Sequence, residues 1–501
     1  MKRLIYILLW FTFFTNGVSA QTLADRVIEH TLSNGLRVLM VERQQVPTIS
    51  FRIIYNVGSA NEVSGITGVA HLYEHMAFKG TETFGTSNYD EERKALAEIE
   101  RLNDAIIQEE RKGADADPER LKALRKRFEA LEAEARKWVV PNELGEIYDR
   151  HGAVGFNAST SRDVTSYVVS LPANRLPLWI AIESDRMANT VLREFYKERN
   201  VVLEERRRSV ETSPSGKLYE SFLSTAFVAH PYGYPTLGWP SDVRSLSATE
   251  TARFFKTYYA PNNTIIAIVG DFKAAEITPL LEASFGVIPP APPPPRVVTV
   301  EPPQRGERRV EVEDDANPRL VIGFHKPDLN HPDDAVFDVI DSLLSMGRSS
   351  RLYKKLVKEE KVAVSASSSS GTPGARYPNL FTISATPRAP HTTREVEKAI
   401  YAELDRMKAD PPSQKELEKI ITNIDASLIR SLRSNGGMAG RLAYFEAVAG
   451  DWRYILRNRD AIAKVTGEDV MRVAKAYFTK KNRTVATLVK REETPADKEG
   501  K

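Results

Sequence analysis

The sequence predicts an α+β chain built from a duplicated unit, and three observations carry that prediction. At 501 residues the chain exceeds what one hydrophobic core fills, so two or more domains are expected. A proline-dense stretch, Pro289-Pro290-Ala291-Pro292-Pro293-Pro294-Pro295 and then Pro302-Pro303, interrupts it past the midpoint. Such a stretch forms neither helix nor central strand and reads as an extended, semi-rigid linker. The third observation is an echo. Tyr477-Phe478, Asn482 and residues 484–488 resemble Tyr258-Tyr259, Asn263 and residues 265–269 at an offset of 219 (477−258). The strand near Pro318 answers the one near Pro47 at an offset of 271 (318−47). The two offsets differ by 52 (271−219), close to the length of a charged hairpin that only the first copy carries.

Taken in order, the chain opens with Lys2-Arg3, an apolar run from 4 to 14, and Val18-Ser19-Ala20. That is the layout of an export signal over residues 1–20, with an uncleaved membrane anchor as the alternative. No other stretch is long and apolar enough to span a bilayer, so the expected location is periplasmic or secreted. A net charge of +3 gives no electrostatic case for nucleic acid. The chain has no cysteine, so disulfides and thiolate metal ligands are excluded, and any zinc site must use His, Glu or Asp.

Residues 36–41 and 49–54 read as strands. A loop from 58 to 68 leads into a helix that Gly80 is placed to end. Residues 89–138 are dense in charge, with apolar residues at helical spacing: Leu96, Ile99 and Leu102, then Leu121, Leu124, Phe128 and Leu131. With Ile106 continuing the first stripe, they read as a helical hairpin insert with solvated outer faces, its second helix started by Asp117-Pro118. Strands follow around 156–160 and 164–168, helices over 178–189 and 193–210, and a strand over 264–269 after a turn at 261–263. The expected division is an N-terminal domain over 21–288, a linker over 289–306, a homologous C-terminal domain over 307–491 and a disordered tail over 492–501.

The chemistry centres on His71-Leu72-Tyr73-Glu74-His75. Histidines four apart share one helix face and can grip one metal ion. Glu74 lies beside that face, where a carboxylate can act as a general base. A hydrolytic zinc wants a third protein ligand. The candidates lie in Glu198 to Glu205. Glu198 and Glu205 are two turns apart and share a face with Val201 and Val202, while Glu204 points towards an Arg206-Arg207-Arg208 surface. From the residues alone, these acids equally fit an exposed helix face.

His71-x-x-Glu74-His75 followed by Glu198-Arg199 and Glu205 resembles the inverzincin peptidases, which include pitrilysin, insulysin and the mitochondrial processing peptidase. The resemblance runs over nearly the whole chain beyond residue 20. It includes Asn157-Ala158-Ser159-Thr160 with Thr165 and Tyr167, His230-Pro231-Tyr232-Gly233, and the segment from Gly347 to Leu352. It implies two homologous domains, each a mostly antiparallel sheet flanked by helices, forming a clamshell. It also implies one zinc ion held by His71, His75 and Glu205. Glu74 would be the general base, Glu198 a supporting acidic residue of catalysis, and Asn157 a contact to the substrate backbone. The gap of 130 (205−75) between His75 and Glu205 is longer than usual by about the length of the insert.

One departure bears on activity. Self-sufficient relatives carry an arginine and a tyrosine seven apart shortly after Ser350-Arg351-Leu352, and here those positions are Val357 and Val364. Neither valine can donate a hydrogen bond to an oxyanion. The resemblance is therefore to the zinc-bearing subunit of heterodimeric members, whose homologous partner supplies the Arg/Tyr pair. The expected function is a zinc endopeptidase acting on peptides or unfolded segments. The alternatives are a structural or peptide-binding member that keeps zinc for stability, and a metal-free interaction scaffold.

Overall fold

The computed structural model describes residues 23–490; the export signal expected at 1–20 and the tail expected at 492–501 lie outside the described residues. Two sheets organise the chain. The first takes β1 (Ile28–Thr31), β2 (Arg37–Glu42), β3 (Thr48–Tyr55), β4 (Val154–Thr160), β5 (Thr165–Pro172) and β6 (Thr264–Gly270) in the order β1-β2-β6-β3-β5-β4. The second takes β7 (Arg308–Asp314), β8 (Arg319–Lys326), β9 (Ala363–Thr372), β10 (Asn379–Pro387) and β11 (Arg483–Lys490) in the order β7-β11-β8-β10-β9.

Without β1 the two orders are the same. In each sheet the pair at that end, β2 with β6 and β7 with β11, runs parallel, and the other pairs run antiparallel. Tyr55 lies opposite Thr264, and Phe324 lies opposite Arg483. The structural offsets are therefore 219 (483−264) and 269 (324−55), the second two residues short of the 271 read from the prolines. An even shift keeps every side chain on its face, because strand faces alternate with period 2. The repeat extends to single hydrogen bonds. Asn263 Nδ2 donates to the carbonyls of Tyr258 (2.7 Å) and Asn56 (3.4 Å); Asn482 Nδ2 donates to those of Tyr477 and His325 (2.9 Å each).

The helices that matter come next in chain order. Helix α1 (Val69–Met76) follows β3. The hairpin is α2 (Tyr89–Glu110) and α3 (Pro118–Ala135). Asp117 caps α3 by accepting from the N–H groups of Glu119 and Arg120. Ile99 and Leu102 are buried, Leu96, Phe128 and Leu131 pack against the first core, and the outer faces carry pairs such as Arg125–Glu110 and Arg127–Glu98. Helix α4 (Phe195–Arg206) starts two residues later than the spacing suggested and passes into a wider turn over Arg207–Glu211. Arg193 is the reason for the late start. Its buried guanidinium pairs with Glu92 (2.9 Å) and caps the carbonyls of Lys79, Thr81 and Phe84, which holds the chain out of helix until Glu194, at φ 55°.

Helices α5 (Pro214–Ala226), α6 (Asp334–Ser345) and α7 (Asn435–Ala449) complete the picture. Every residue of β6 is buried, so both its faces are covered. Ile266 and Ile268 join Phe51 and Trp179 in the first core. Ile265, Ala267 and Val269 lie under Met438, Leu442 and Ala443 of α7, a helix from the far side of the proline-rich stretch. The reverse also holds: Leu218, Phe222 and Leu223 of α5 cover Ala486 and Leu488 of β11. Each half thus lends one helix to the other's sheet. Residues 289–305 form neither helix nor strand, and Glu301 pins them by accepting from the N–H groups of Val228, Ala229 and His230. Among the described residues no helix is long and apolar enough to cross a membrane.

Candidate metal centre and active site

Helix α1 is fixed at its start by two carboxylates, the buried Glu62 and the partly buried Asp242. Glu62 accepts from the N–H groups of Gly68 and Ala70, each at 2.8 Å. Asp242 accepts from Thr67 Oγ1 at 2.7 Å and Gly65 N at 3.0 Å. Gly68 sits at φ +89°, and a Cβ there would meet the Leu237 carbonyl at 2.8 Å, so glycine is required. Burial pushes Glu62 up to about 8, against the pull of its two N–H donors. The helix ends at Met76, earlier than the Gly80 stop expected from sequence. Ala70, Leu72, Tyr73 and Met76 are buried in the core, leaving His71, Glu74 and His75 on the remaining face.

Helix α4 brings the acids. Val202 is fully buried and anchors it, whereas Val201 is exposed and does not share the buried face as expected. Glu205 Oε2 lies 3.7 Å from His71 Nε2 and 3.5 Å from His75 Nε2. One ligand atom from each of these three residues falls within 4.8 Å of the others. Zinc–ligand bonds of about 2.0–2.1 Å in a tetrahedron set ligand atoms about 3.3–3.4 Å apart, so these separations fit a zinc ion. Burial, then the neighbouring His75, push His71 down to about 3, which keeps its ring a neutral donor. His71 Nδ1 is buried without a hydrogen-bond partner among the described residues.

Glu198 does not join the ligand atoms. Its Oε2 lies 3.4 Å from His75 Nδ1, the far side of that ring, and its Oε1 lies 2.5 Å from Lys79 Nζ. Lys79 also reaches Glu194 at 3.2 Å. Burial works against the Glu198 charge, but the hydrogen bonds with His75 and Lys79 outweigh it and hold the carboxyl at about 2. In return, burial alone would lower His75, yet Glu198 and the charges of Glu205 and Glu74 raise it. A carboxylate on the outer nitrogen of a ligating histidine fixes its tautomer and orientation.

Glu74 is buried, and its Oε2 accepts from Thr160 Oγ1 at 2.6 Å, at the end of β4. Burial raises its pKa, with Thr160 pulling the other way. Asn157 is exposed on the same strand, which is the edge of its sheet. A cavity lined by Glu74, His75, Glu198 and Asn157 opens there, with Phe78 and Val139 adding apolar wall. Glu204 faces outward onto Arg207. Arg206, expected on the surface, is instead buried: it pairs with Glu220 at 2.8 Å and lies over the Trp239 ring. Val357 packs against the second core and Val364 is exposed on β9.

Sequence reasoning missed Lys79, Glu62, Asp242 and the bond from Thr160. Lys79 had a signal, four residues after His75 on the same face. Thr160 and Asp242 had none, since their partners lie 86 and 175 residues away.

Comparison with known proteins bears on this geometry. The family model described as Insulinase (Peptidase family M16) matches residues 37–111 and 135–239, skipping most of α3. The one described as Peptidase M16 inactive domain matches residues 245–424. The zinc protease PqqE of Helicobacter pylori is 28% identical over 94% of this chain and 95% of its own. An uncharacterized zinc protease of Streptomyces coelicolor is 24% identical over 89% and 86%. Among solved structures, a protease from Helicobacter pylori superposes with a TM-score of 0.77 at 27% identity, covering 92% of this chain and 99% of its own. The periplasmic protease PqqL of Escherichia coli gives 0.69 at 18% identity, covering 95% of this chain and 50% of its own. The two-domain fold and the family matches on both halves agree: the chain belongs to the insulinase family, peptidase family M16.

Proposed function

We propose that the chain is an exported zinc endopeptidase that hydrolyses peptides or unfolded segments, and that it works as the catalytic half of a heterodimer. The observation that carries this reading is the approach of His71, His75 and Glu205 beside a Thr160-held Glu74 at an open strand edge. His71 and His75 would hold zinc through Nε2 and Glu205 through a carboxylate oxygen. Zinc, when bound, supplies a Lewis acid for the scissile carbonyl and makes water a better nucleophile. Glu74 takes the proton from the attacking water and returns it to the leaving amine. Thr160 holds the Glu74 carboxylate in place, and Glu198 with Lys79 orients His75. The substrate main chain adds along β4 as an extra strand, with Asn157 beside it.

The partner follows from Val357 and Val364. A homologous subunit carrying the arginine and tyrosine would supply the oxyanion contacts that these valines cannot. The export signal over 1–20 and the division into domains over 21–288 and 307–491, with the hairpin over 89–138 as an insert, belong to the same reading. The valines also favour a second reading, a peptide-binding subunit that keeps its metal without turnover. An intact general base argues against it, since a structural metal does not need one.

Metal analysis and peptide cleavage by the purified chain separate the readings. We expect one zinc per chain, weak cleavage alone, and strong cleavage once the homologous partner is added. Full activity alone removes the partner from the proposal. Zinc without cleavage under any pairing favours the binding subunit, and no zinc overturns both.

A further inference from the structure

A second cavity lies behind the metal site, between the hairpin and α4. Its volume is about 130 Å³, and Leu96, Ile99, Ala135, Leu192 and Phe195 form its apolar walls. Space of this order, lined by such side chains, accommodates one benzene-sized ring. Four glutamates also line it, and three of them are engaged. Glu92 pairs with Arg193 at 2.9 Å, Glu100 accepts from the Tyr196 hydroxyl at 2.5 Å and from Thr249 N at 2.8 Å, and Glu194 pairs with Lys197 at 2.7 Å and Lys79 at 3.2 Å.

Glu132 is the exception. It is half-buried and, among the described residues, makes no side-chain hydrogen bond and no ion pair within 4 Å. Of the cations beside it, Arg199 lies over the Tyr196 ring and donates to the Leu246 carbonyl, while Arg136, four residues further on, also lines the cavity but is exposed and makes no ion pair within 4 Å among the described residues. Burial raises the Glu132 pKa. A half-buried carboxylate beside an empty apolar space is stabilised by a cation that brings its own apolar body.

We propose that this cavity is a binding site for a small single-ring ammonium compound, its ring among Leu96, Ile99 and Phe195 and its ammonium group on Glu132. Such a ligand would sit one residue layer from the catalytic cavity, because Val139, Glu194 and Lys197 line both spaces. From there the contacts run through Glu194 to Lys79 and on to Glu198. The proposal concerns binding and stands apart from whether the chain cleaves peptides.

The test is calorimetric titration of the full chain with 2-phenylethylamine, with circular dichroism as the control for folding. We expect saturable binding, weakened about tenfold by Glu132→Gln and by replacing the probe with neutral 2-phenylethanol. Ala135→Leu, which puts a larger side chain into the space, should abolish binding. Should that variant fail to fold, Glu132→Gln decides, since its side chain is half-exposed and unpaired. Absence of saturable binding, or binding that Glu132→Gln leaves unchanged, overturns the proposal.

Discussion

The two halves of this chain share a sheet order and differ in what the helix after the third strand presents. Counting on by 269, the offset that relates β3 to β8, His71, Glu74 and His75 correspond to Ile340, Leu343 and Leu344 of α6. All three of those residues are buried in the second core. The same scaffold therefore carries a cluster of candidate metal ligands in one copy and plain apolar packing in the other. The difference teaches that the site adds little to holding the fold together. The two imidazoles and the Glu74 carboxylate sit on a helix face that the second half fills with isoleucine and leucine. It also explains the carboxylates at the start of α1: Glu62 and Asp242 grip a helix whose outer face contributes no apolar anchor of its own.

The first way to sharpen this comparison is to make the first half as inert as the second. Glu74→Gln should lower peptide cleavage by about 10²–10⁴-fold while zinc content, measured by atomic absorption, stays unchanged. The second way is to break the exchange that binds the halves. Phe222→Ala in α5 should cost about 3–5 kcal/mol and Leu442→Ala in α7 about 2–5 kcal/mol. Because each helix completes the other half's core, urea unfolding should move as one transition in both variants. Two separated transitions, with only one of them shifted, would show that the halves fold independently.

A smaller effect is expected around the metal. Glu198→Gln removes the charge from the outer nitrogen of His75, and zinc affinity measured by chelator competition should fall about 10–100-fold. Unchanged affinity would mean that Glu198 acts elsewhere. The smallest effect concerns pH in the second half. Burial, then the neighbouring Asp334, push Asp338 up to about 7, against about 3.9 in an unfolded chain. A folded pKa above the unfolded one means that the folded state holds the proton more tightly. The resulting stability is fully present below about pH 4 and is lost as pH rises through about 7. Asp338→Asn keeps an acceptor for the Asn458 amide and should flatten the fall in stability between these limits, read as urea midpoints across that range.

Much of the architecture was legible because it is local. Asp117-Pro118 announces α3, and the all-apolar run of β6 announces a strand buried on both faces. The same run says nothing of what covers its second face. That cover is α7, more than 160 residues further on, and no periodicity in either segment names the other. Arg206 illustrates the limit from the opposite side. It stands in a run of three arginines that reads as surface, yet Glu220 and Trp239 fold over it. A charge run gives the usual fate of its members, and a tertiary partner decides the exception.

By itself, the sequence determined that His71 shares a helix face with His75, and Glu198 with Glu205, because about 100° per residue is a property of the backbone. It also placed Glu74 beside the first pair. Only the tertiary structure brought Glu205, 130 positions beyond His75, to the two imidazoles, set Thr160 on Glu74, and turned Glu198 to the outer nitrogen of His75. The reason is physical. Helical spacing follows from local geometry, whereas convergence follows from burial of Val202, Tyr73 and their neighbours in one core. That driving force scales with area and has no direction, so the pattern of apolar residues shows that burial happens without showing which polar groups it brings together.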